Sequence, residues 1–378
     1  MKSSRRLIGF VAALLFLLAA QQGQCAAHAG GKGAGKDAFT KLRNAVRVAE
    51  EQALVPPDPD AAMANAVRGY LGTIDPYSSY ITAAEYQSLH NAPEEYSGVG
   101  MDIIQGPGGV LYCLPYTGGP AERAGMRPGD ILSSINNRPV ARMPLLVLES
   151  LIRGAEGEIV RLGIVSARGP EEVRITRGRI ARRSAELFMD AGTPRIRIWR
   201  FDGNTEGQLQ EALTKLNAGS SLILDLRGNV GGDLKAAVAG AQLFLPAGSR
   251  IVSLEDRKGA RKTFDSPPEP KAELGAVVIW QDRFTASAAE VFCAALGDNG
   301  IARILGARSF GKGIAQSIVP AGDNDYFVLT TGRLIRPSGS GFHGIGIEPD
   351  MLVGAGSGDA GDDGPWLRRT HEALGGRQ

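Results

Sequence analysis

The hydrophobic pattern of the chain changes period twice. From Asp37 to Leu54 and from Asp60 to Gly72, apolar residues recur at helical spacing. The break between them, Val55-Pro56-Pro57-Asp58-Pro59, cannot continue a helix, because proline lacks an N–H and crowds the preceding turn. The turn-rich link Asp75-Pro76-Tyr77-Ser78-Ser79-Tyr80 leads into a short helix at Ala83–His90. From Tyr96 to Arg177 the apolar runs shorten and are bounded by Gly, Pro or Asn. This predicts strands at Val99–Ile104, Val110–Leu114, Ile131–Ile135, Val160–Val165 and Val173–Thr176, with an amphipathic helix at Pro144–Arg153. Such a mix reads as a small β-barrel capped by helices. From Arg179 onward, longer strands alternate with helices. Strands are predicted at Arg195–Arg200, Leu222–Leu226, Val277–Trp280, Arg303–Leu305 and Tyr326–Thr331, and helices at Thr205–Leu216, Ala236–Leu245 and Ser287–Leu296. That alternation argues an α/β domain with a largely parallel sheet. The expected organisation is multidomain, mixing α+β and α/β parts. It comprises a helical region over 30–95, a barrel over 96–178, an α/β core over 179–353 and a flexible tail with a short helix over 354–378. Gly354–Gly364 is rich in Gly and Asp and is expected to be disordered.

The first 29 residues follow a different logic. Lys2, Arg5 and Arg6 precede an apolar run of 14 residues, Leu7–Ala20, which is short for a membrane-spanning helix. Ala27-His28-Ala29 fits a small-residue cleavage site, so 1–29 reads as a secretory signal peptide. The expected destination is the periplasm or another extracytoplasmic space, with membrane association if the signal stays uncleaved. Cys25 raises the question of a lipid anchor, but Gln22-Gly23-Gln24 lacks the usual apolar and small residues of a lipobox.

Composition adds mainly exclusions. Three of the 42 basic residues lie in the signal, which leaves 39 against 40 acidic residues, so nothing here favours nucleic acid as a partner. Cys113 and Cys293 sit in apolar stretches and read as small buried hydrophobes rather than a disulfide. His90, His343 and His371 make no metal-ligand spacing with them.

Three segments could carry chemistry. Phe284-Thr285-Ala286-Ser287-Ala288-Ala289-Glu290 joins a buried strand to a helix, which puts Ser287 among unpaired N–H groups at the positive end of a helix dipole. Read alone, that is also what an ordinary N-cap serine looks like. Ser309-Phe310-Gly311-Lys312-Gly313 flanks a lysine with glycines that allow a sharp turn inward, and its plain alternative is a surface turn. Lysine serves as a base only if burial pulls its pKa down. Gln316 lies four residues on, so a helical turn would bring its amide to Lys312. Gly228-Asn229-Val230-Gly231-Gly232 follows a buried strand and can aim an N–H into a site. It is no Walker-type phosphate loop, because Asp233-Leu234 follows the glycines instead of Lys-Ser/Thr. Asp225 and Arg227 read as structural partners. A Ser-His-Asp triad finds no support, since Ser287 has Thr285 and Ala289 where a nucleophile elbow has glycines, and His90 and His343 read as loop or surface residues.

Taken together, these segments resemble the carboxyl-terminal processing peptidases, the tail-specific proteases of peptidase family S41. The likeness covers nearly the whole mature chain. Asp75–Tyr80 is similar to the family's entry segment. Tyr96–Met101 and Gly119–Leu132 are similar to its PDZ domain, and Leu224–Gly232 to its core signature. Ser287 and Lys312, 25 residues apart as in the family, match its nucleophile and base, and Gln316 matches its third catalytic position. Val230 and Ala289 depart from the usual Pro and Ser but remove no catalytic atom.

The resemblance implies a ClpP/crotonase-like peptidase core and a serine endopeptidase that needs no cofactor or metal. It implies an oxyanion hole from the N–H of Ala288 with that of Gly231 or Gly232, and a Gln316 that holds Lys312 in place. It also implies a PDZ groove whose loop Ser97-Gly98-Val99-Gly100 captures a substrate's terminal carboxylate. Val99, Met101 and Leu146 are expected around the last side chain, so the partners would be proteins with accessible apolar C-terminal tails. The resemblance leaves room for an adaptor or activator protein and for a homo-oligomer. The rival readings are an inactive PDZ-binding protein on a peptidase-like core and a Ser/Lys amidase of small amides.

Overall fold

The computed structural model describes residues 34–90, 97–180, 183–190, 192–268, 273–353 and 363–375. The signal, Cys25, Tyr96 and most of the Gly/Asp-rich stretch lie outside the described residues. The chain divides into two compact units, Met1–Ala62 and Met63–Gln378. In the first, helix α1 spans Ala34–Gln52 and carries an exposed Arg47–Glu51 pair at 2.9 Å. Helix α2, Pro59–Leu71, starts where the sequence says it must. Asp58 Oδ1 accepts the Ala61 N–H at 3.0 Å, and proline occupies the first helical position.

Most of α2 and everything after it belong to the second unit. Strand β1 is Ser79–Ile81 and helix α3 is Ala83–His90. The barrel follows as β2 (Ser97–Gly98), β3 (Met101–Gln105), β4 (Leu111–Pro115), α4 (Pro120–Arg123), β5 (Asp130–Ile135), β6 (Arg138–Pro139), α5 (Leu145–Ile152), β7 (Ile159–Ser166), β8 (Gly169–Thr176) and β9 (Gly178–Arg179). Its sheet runs β3-β4-β5-β7-β8, with β6 on β5, and the β2–β9 pair joins its entry to its exit. Cys113, Met126, Leu148, Leu162 and Ile175 fill its core.

The α/β core comprises β10 (Ala185–Asp190), β11 (Thr193–Ile198), α6 (Thr205–Leu213), β12 (Leu222–Asp225), α7 (Leu234–Gln242), β13 (Arg250–Asp256), β14 (Arg261–Asp265), β15 (Val277–Gln281), α8 (Ala288–Asp298), β16 (Ala302–Gly306), β17 (Ile314–Gly322), β18 (Asp325–Ile335), β19 (Met351–Leu352) and α9 (Gly364–Gly375). One sheet runs β10-β11-β12-β15-β16-β19 and is parallel except at the β10–β11 edge. Alternate residues of β12 face opposite sides, and both sides are covered. Leu222 and Leu224 join the cluster formed with α6, α7 and α8, while Ile223 meets Trp280 and the Trp366 of α9. Continuous apolar runs such as Val277–Trp280 follow from this two-sided burial. A second sheet, β1-β18-β13-β14 with β17 on β18, was legible only at β18.

Two sequence expectations are corrected here. The stretch Asp75–Tyr80 is more than a link, because β1 pairs antiparallel with β18, Ser79 opposite Val328. The residues after Lys312 do not turn helically; they form β17, with a register shift between Ala315 and Gln316. Cys113 and Cys293 are free and buried, and burial pushes the Cys113 thiol up to about 12.

Candidate active site

The glycine turn Gly228–Gly232 and the Asp282–Ser287 turn sit at the C-terminal ends of neighbouring parallel strands, β12 and β15. Asp282 Oδ1 ties them together. It accepts N–H groups from Gly228 (2.9 Å), Phe284 (2.9 Å) and Thr285 (3.0 Å), while Thr285 Oγ1 donates to Leu226 O at 3.0 Å. Asn229 is fully buried; its Nδ2 donates to Ile198 O (2.9 Å) and its Oδ1 accepts the Gly231 N–H (2.9 Å). Gly231 has φ +101°, and a Cβ there would lie 2.8 Å from Ala288 N and 3.0 Å from Ser287 Cβ. Only glycine fits that approach.

Ser287 caps α8 with φ 56° and ψ −119°, a strained conformation for a side-chain-bearing residue. The Ala288 N–H at the first helical position has no intrahelical acceptor. Of the two glycines, Gly231 has given its N–H to Asn229, whereas Gly232 is exposed and its N–H meets no acceptor among the described residues.

Glu290 is the residue the sequence reading passed over. Its carboxylate has no exposed surface and accepts four bonds: Ser309 Oγ (2.5 Å) and Gly311 N–H (2.7 Å) on Oε1, Ser287 N–H (2.8 Å) and Lys312 N–H (2.8 Å) on Oε2. One side chain thus fastens the Ser287 segment to the Lys312 segment. Burial raises its pKa, against the lowering effect of those four donors. A signal was available: Ser287-x-x-Glu290 before an apolar run is the capping-box spacing.

Lys312 is drawn below the ordinary lysine range by burial, opposed by the carboxylates of Glu149 and Glu290. Its Nζ lies 5.4 Å above the Tyr77 ring, and among the described residues no hydrogen bond joins it to Ser287 Oγ. Tyr77 is buried and held by an Asx turn in which Asp75 Oδ1 accepts its N–H at 2.8 Å. Gln316 reaches the same place from β17, donating Nε2 to Tyr77 O at 2.8 Å rather than to the lysine. The His343 ring meets the other side of this group, 5.9 Å from Tyr77, and hydrogen-bonds to no carboxylate among the described residues. Nor do the described residues contain a cluster of three or more His, Cys, Asp or Glu fit for a metal ion.

The barrel packs beside this site. Ile104, Leu114 and Tyr112 meet Phe284, Ala286, Val230 and Phe310 in one apolar cluster. The carboxylate-loop candidates Ser97 and Gly98 form β2, and Gly100 adopts φ +68° where a Cβ would strike Pro120 at 2.7 Å. The residues expected around the last side chain fall in two places. Val99 and Met101 are 0% and 2% exposed within the barrel core, and Leu146 instead shares a cavity with Lys312.

Comparison with known proteins matches this architecture. Residues 193–353 match the model of peptidase family S41, and residues 112–166 a PDZ domain model. A probable CtpA-like serine protease of Staphylococcus haemolyticus is 32% identical over 74% of this chain and 57% of its own length. A protein of the same description from Staphylococcus aureus is 29% identical over 83% of this chain and 64% of its own. This chain therefore spans less than two thirds of those relatives. Among solved structures, the photosystem II D1 C-terminal processing protease superposes with a TM-score of 0.70 at 26% identity, covering 83% of this chain and 86% of that one.

Proposed function

We propose that this chain, whose residues 193–353 belong to peptidase family S41 and whose residues 112–166 form a PDZ domain, is an exported serine endopeptidase that selects substrates by their C-terminal tails. Ser287 is the nucleophile and Lys312 the general base. The observation that carries this reading is Glu290, which holds the backbones of both residues on one carboxylate oxygen.

In the resting arrangement Lys312 Nζ rests over Tyr77, so the lysine side chain turns toward Ser287 Oγ before it takes the proton. Neutral Lys312 accepts that proton and Oγ attacks the scissile carbonyl. The oxyanion is met by the N–H of Ala288 and that of Gly232. Lys312 then protonates the leaving amine, and water hydrolyses the acyl-enzyme. Gln316 acts indirectly, by fixing the Tyr77 carbonyl and with it the ring beneath the lysine. The N–H groups of the Gly98–Gly100 loop receive the tail's carboxylate, and the tail adds as a strand.

The test uses the mature protein, Ser287→Ala and Lys312→Ala with an unstructured protein ending in apolar residues, and with the same protein ending in charges. Tail-dependent cleavage by the unmodified protein alone is expected. Equal cleavage by Ser287→Ala would overturn the mechanism. Tail binding without cleavage by any form would support a PDZ-binding protein instead. Export is checked by fractionating cells that make the full chain.

A further inference from the structure

The barrel presents one strand edge whose end lies at the cavity of Lys312. β3 pairs with β4 on one side, and among the described residues its other edge carries no strand. α5 packs against β3 and runs opposite to it. Just past the C-terminal end of α5, Gly154 N–H donates to Ser97 O at 3.3 Å. At its N-terminal end, Leu145 and Leu146 line a cavity of about 220 Å³ together with Gln105, the last residue of β3.

That cavity also holds Lys312. Ile318 and Val328 close it from the core, and Tyr77 from the segment before β1. Two of its polar side chains are engaged, Gln105 Nε2 with Pro76 O at 2.6 Å and Gln316 Nε2 with Tyr77 O at 2.8 Å. Beside Lys312, Ser79 and Tyr77, it offers a ligand the apolar surface of Pro144, Leu145, Leu146, Ile318 and Val328.

A tail added antiparallel to β3, carboxylate at Ser97–Gly100, passes Met101 first and Gln105 last. β3 has five residues, so the residue opposite Gln105 is the fifth from the substrate's C-terminus. At ~3.4 Å per residue the track is about 17 Å long. We propose that the cavity is a subsite for an apolar side chain of the substrate, at the fifth or sixth position from its C-terminus. An apolar group seated there also excludes water from Lys312 and favours its neutral form. The inference rests on the tail-selecting reading given above and adds its register.

Fluorescent decapeptides on a Ser/Gly background, with a fixed apolar C-terminal pair and one Leu moved from the fourth to the ninth position, test it. Binding is read with the Ser287→Ala protein by anisotropy, and cleavage with the unmodified protein. Binding and kcat/KM are expected to peak with Leu at the fifth or sixth position, about tenfold above the ninth. Ile318→Asp, at an exposed position that tolerates charge, is expected to flatten the profile. A profile that is flat, peaks elsewhere, or ignores Ile318→Asp overturns the subsite, as does the absence of any peptide binding. A peak at the expected register without cleavage leaves the subsite standing and overturns the peptidase reading. Tail-dependent cleavage with a flat profile does the reverse.

Discussion

Ser287 pays for its position in backbone strain. Its φ of 56° disfavours any residue with a Cβ. Ser287→Gly is therefore expected to be more stable than Ser287→Ala by about 1 kcal/mol, both being inactive. Equal denaturation midpoints would show that the conformation relaxes at no cost. Glu290 is the other residue-scale constraint. In Glu290→Gln an NH₂ group faces two donors, and leaving buried donors unmatched costs about 2–4 kcal/mol. We expect that loss in denaturant unfolding and a larger fall in kcat than rise in KM, because the two segments it joins separate. In the mechanism proposed above, Lys312 sets the pH response. Only its neutral form accepts a proton, and burial lowers its pKa, so kcat/KM is expected to rise with pH and level off below lysine's ordinary value of about 10.4. A profile flat into acid, with chemistry limiting, would exclude the lysine base.

Among the elements, β12 shows how a strand can carry a charge at its buried end. Asp225 has no exposed surface and meets Arg195 at 3.0 Å, Arg227 at 2.7 Å, and Arg197. Burial alone would raise its pKa, but Arg197 and Arg227 outweigh it and hold the carboxyl well below the usual range. The stability this contributes is present above the unfolded carboxylate pKa and is lost as pH falls through the folded one. Arg227 also stacks on Trp280 and Trp366, each 4.7 Å away, and pairs with Asp363 at 2.8 Å, so the cluster fastens α9 to the sheet. Asp225→Asn is expected to cost about 3–5 kcal/mol, since three guanidinium groups lose their shared partner. The sequence reading took Asp225 and Arg227 as structural partners, and their contacts agree. Gln316 went the other way: its distance from Lys312 along the chain suggested a helical turn, but β18 offered a partner strand, and local spacing cannot register a partner 10 or more residues away.

For the whole molecule, the placement of the barrel matters most. Its Ile104 and Tyr112 press on the Phe284–Ala286 turn that leads into Ser287. Its helix α5 brings Glu149 close enough to favour the charged form of Lys312. Glu149→Gln is therefore expected to move the acid limb of the pH–rate profile to lower pH. An unmoved limb would mean that α5 does not approach the base during turnover.

The chain by itself determined the barrel strands, the parallel sheet and its helices, and the glycine turn, which rest on local rules of apolar period and close backbone approach. Ser287 and Lys312 were singled out together only by the family resemblance, since each read alone looks ordinary. The tertiary structure alone decided that Lys312 is drawn out of water, that Glu290 joins its segment to that of Ser287, that Tyr77 lies under its ammonium, and that Leu146 lines its cavity. Each of these depends on groups brought together from distant parts of the chain, and burial and hydrogen bonding across such distances leave no periodic trace in sequence. The pair that looked ordinary residue by residue is joined in the fold because one buried carboxylate holds the backbones of both.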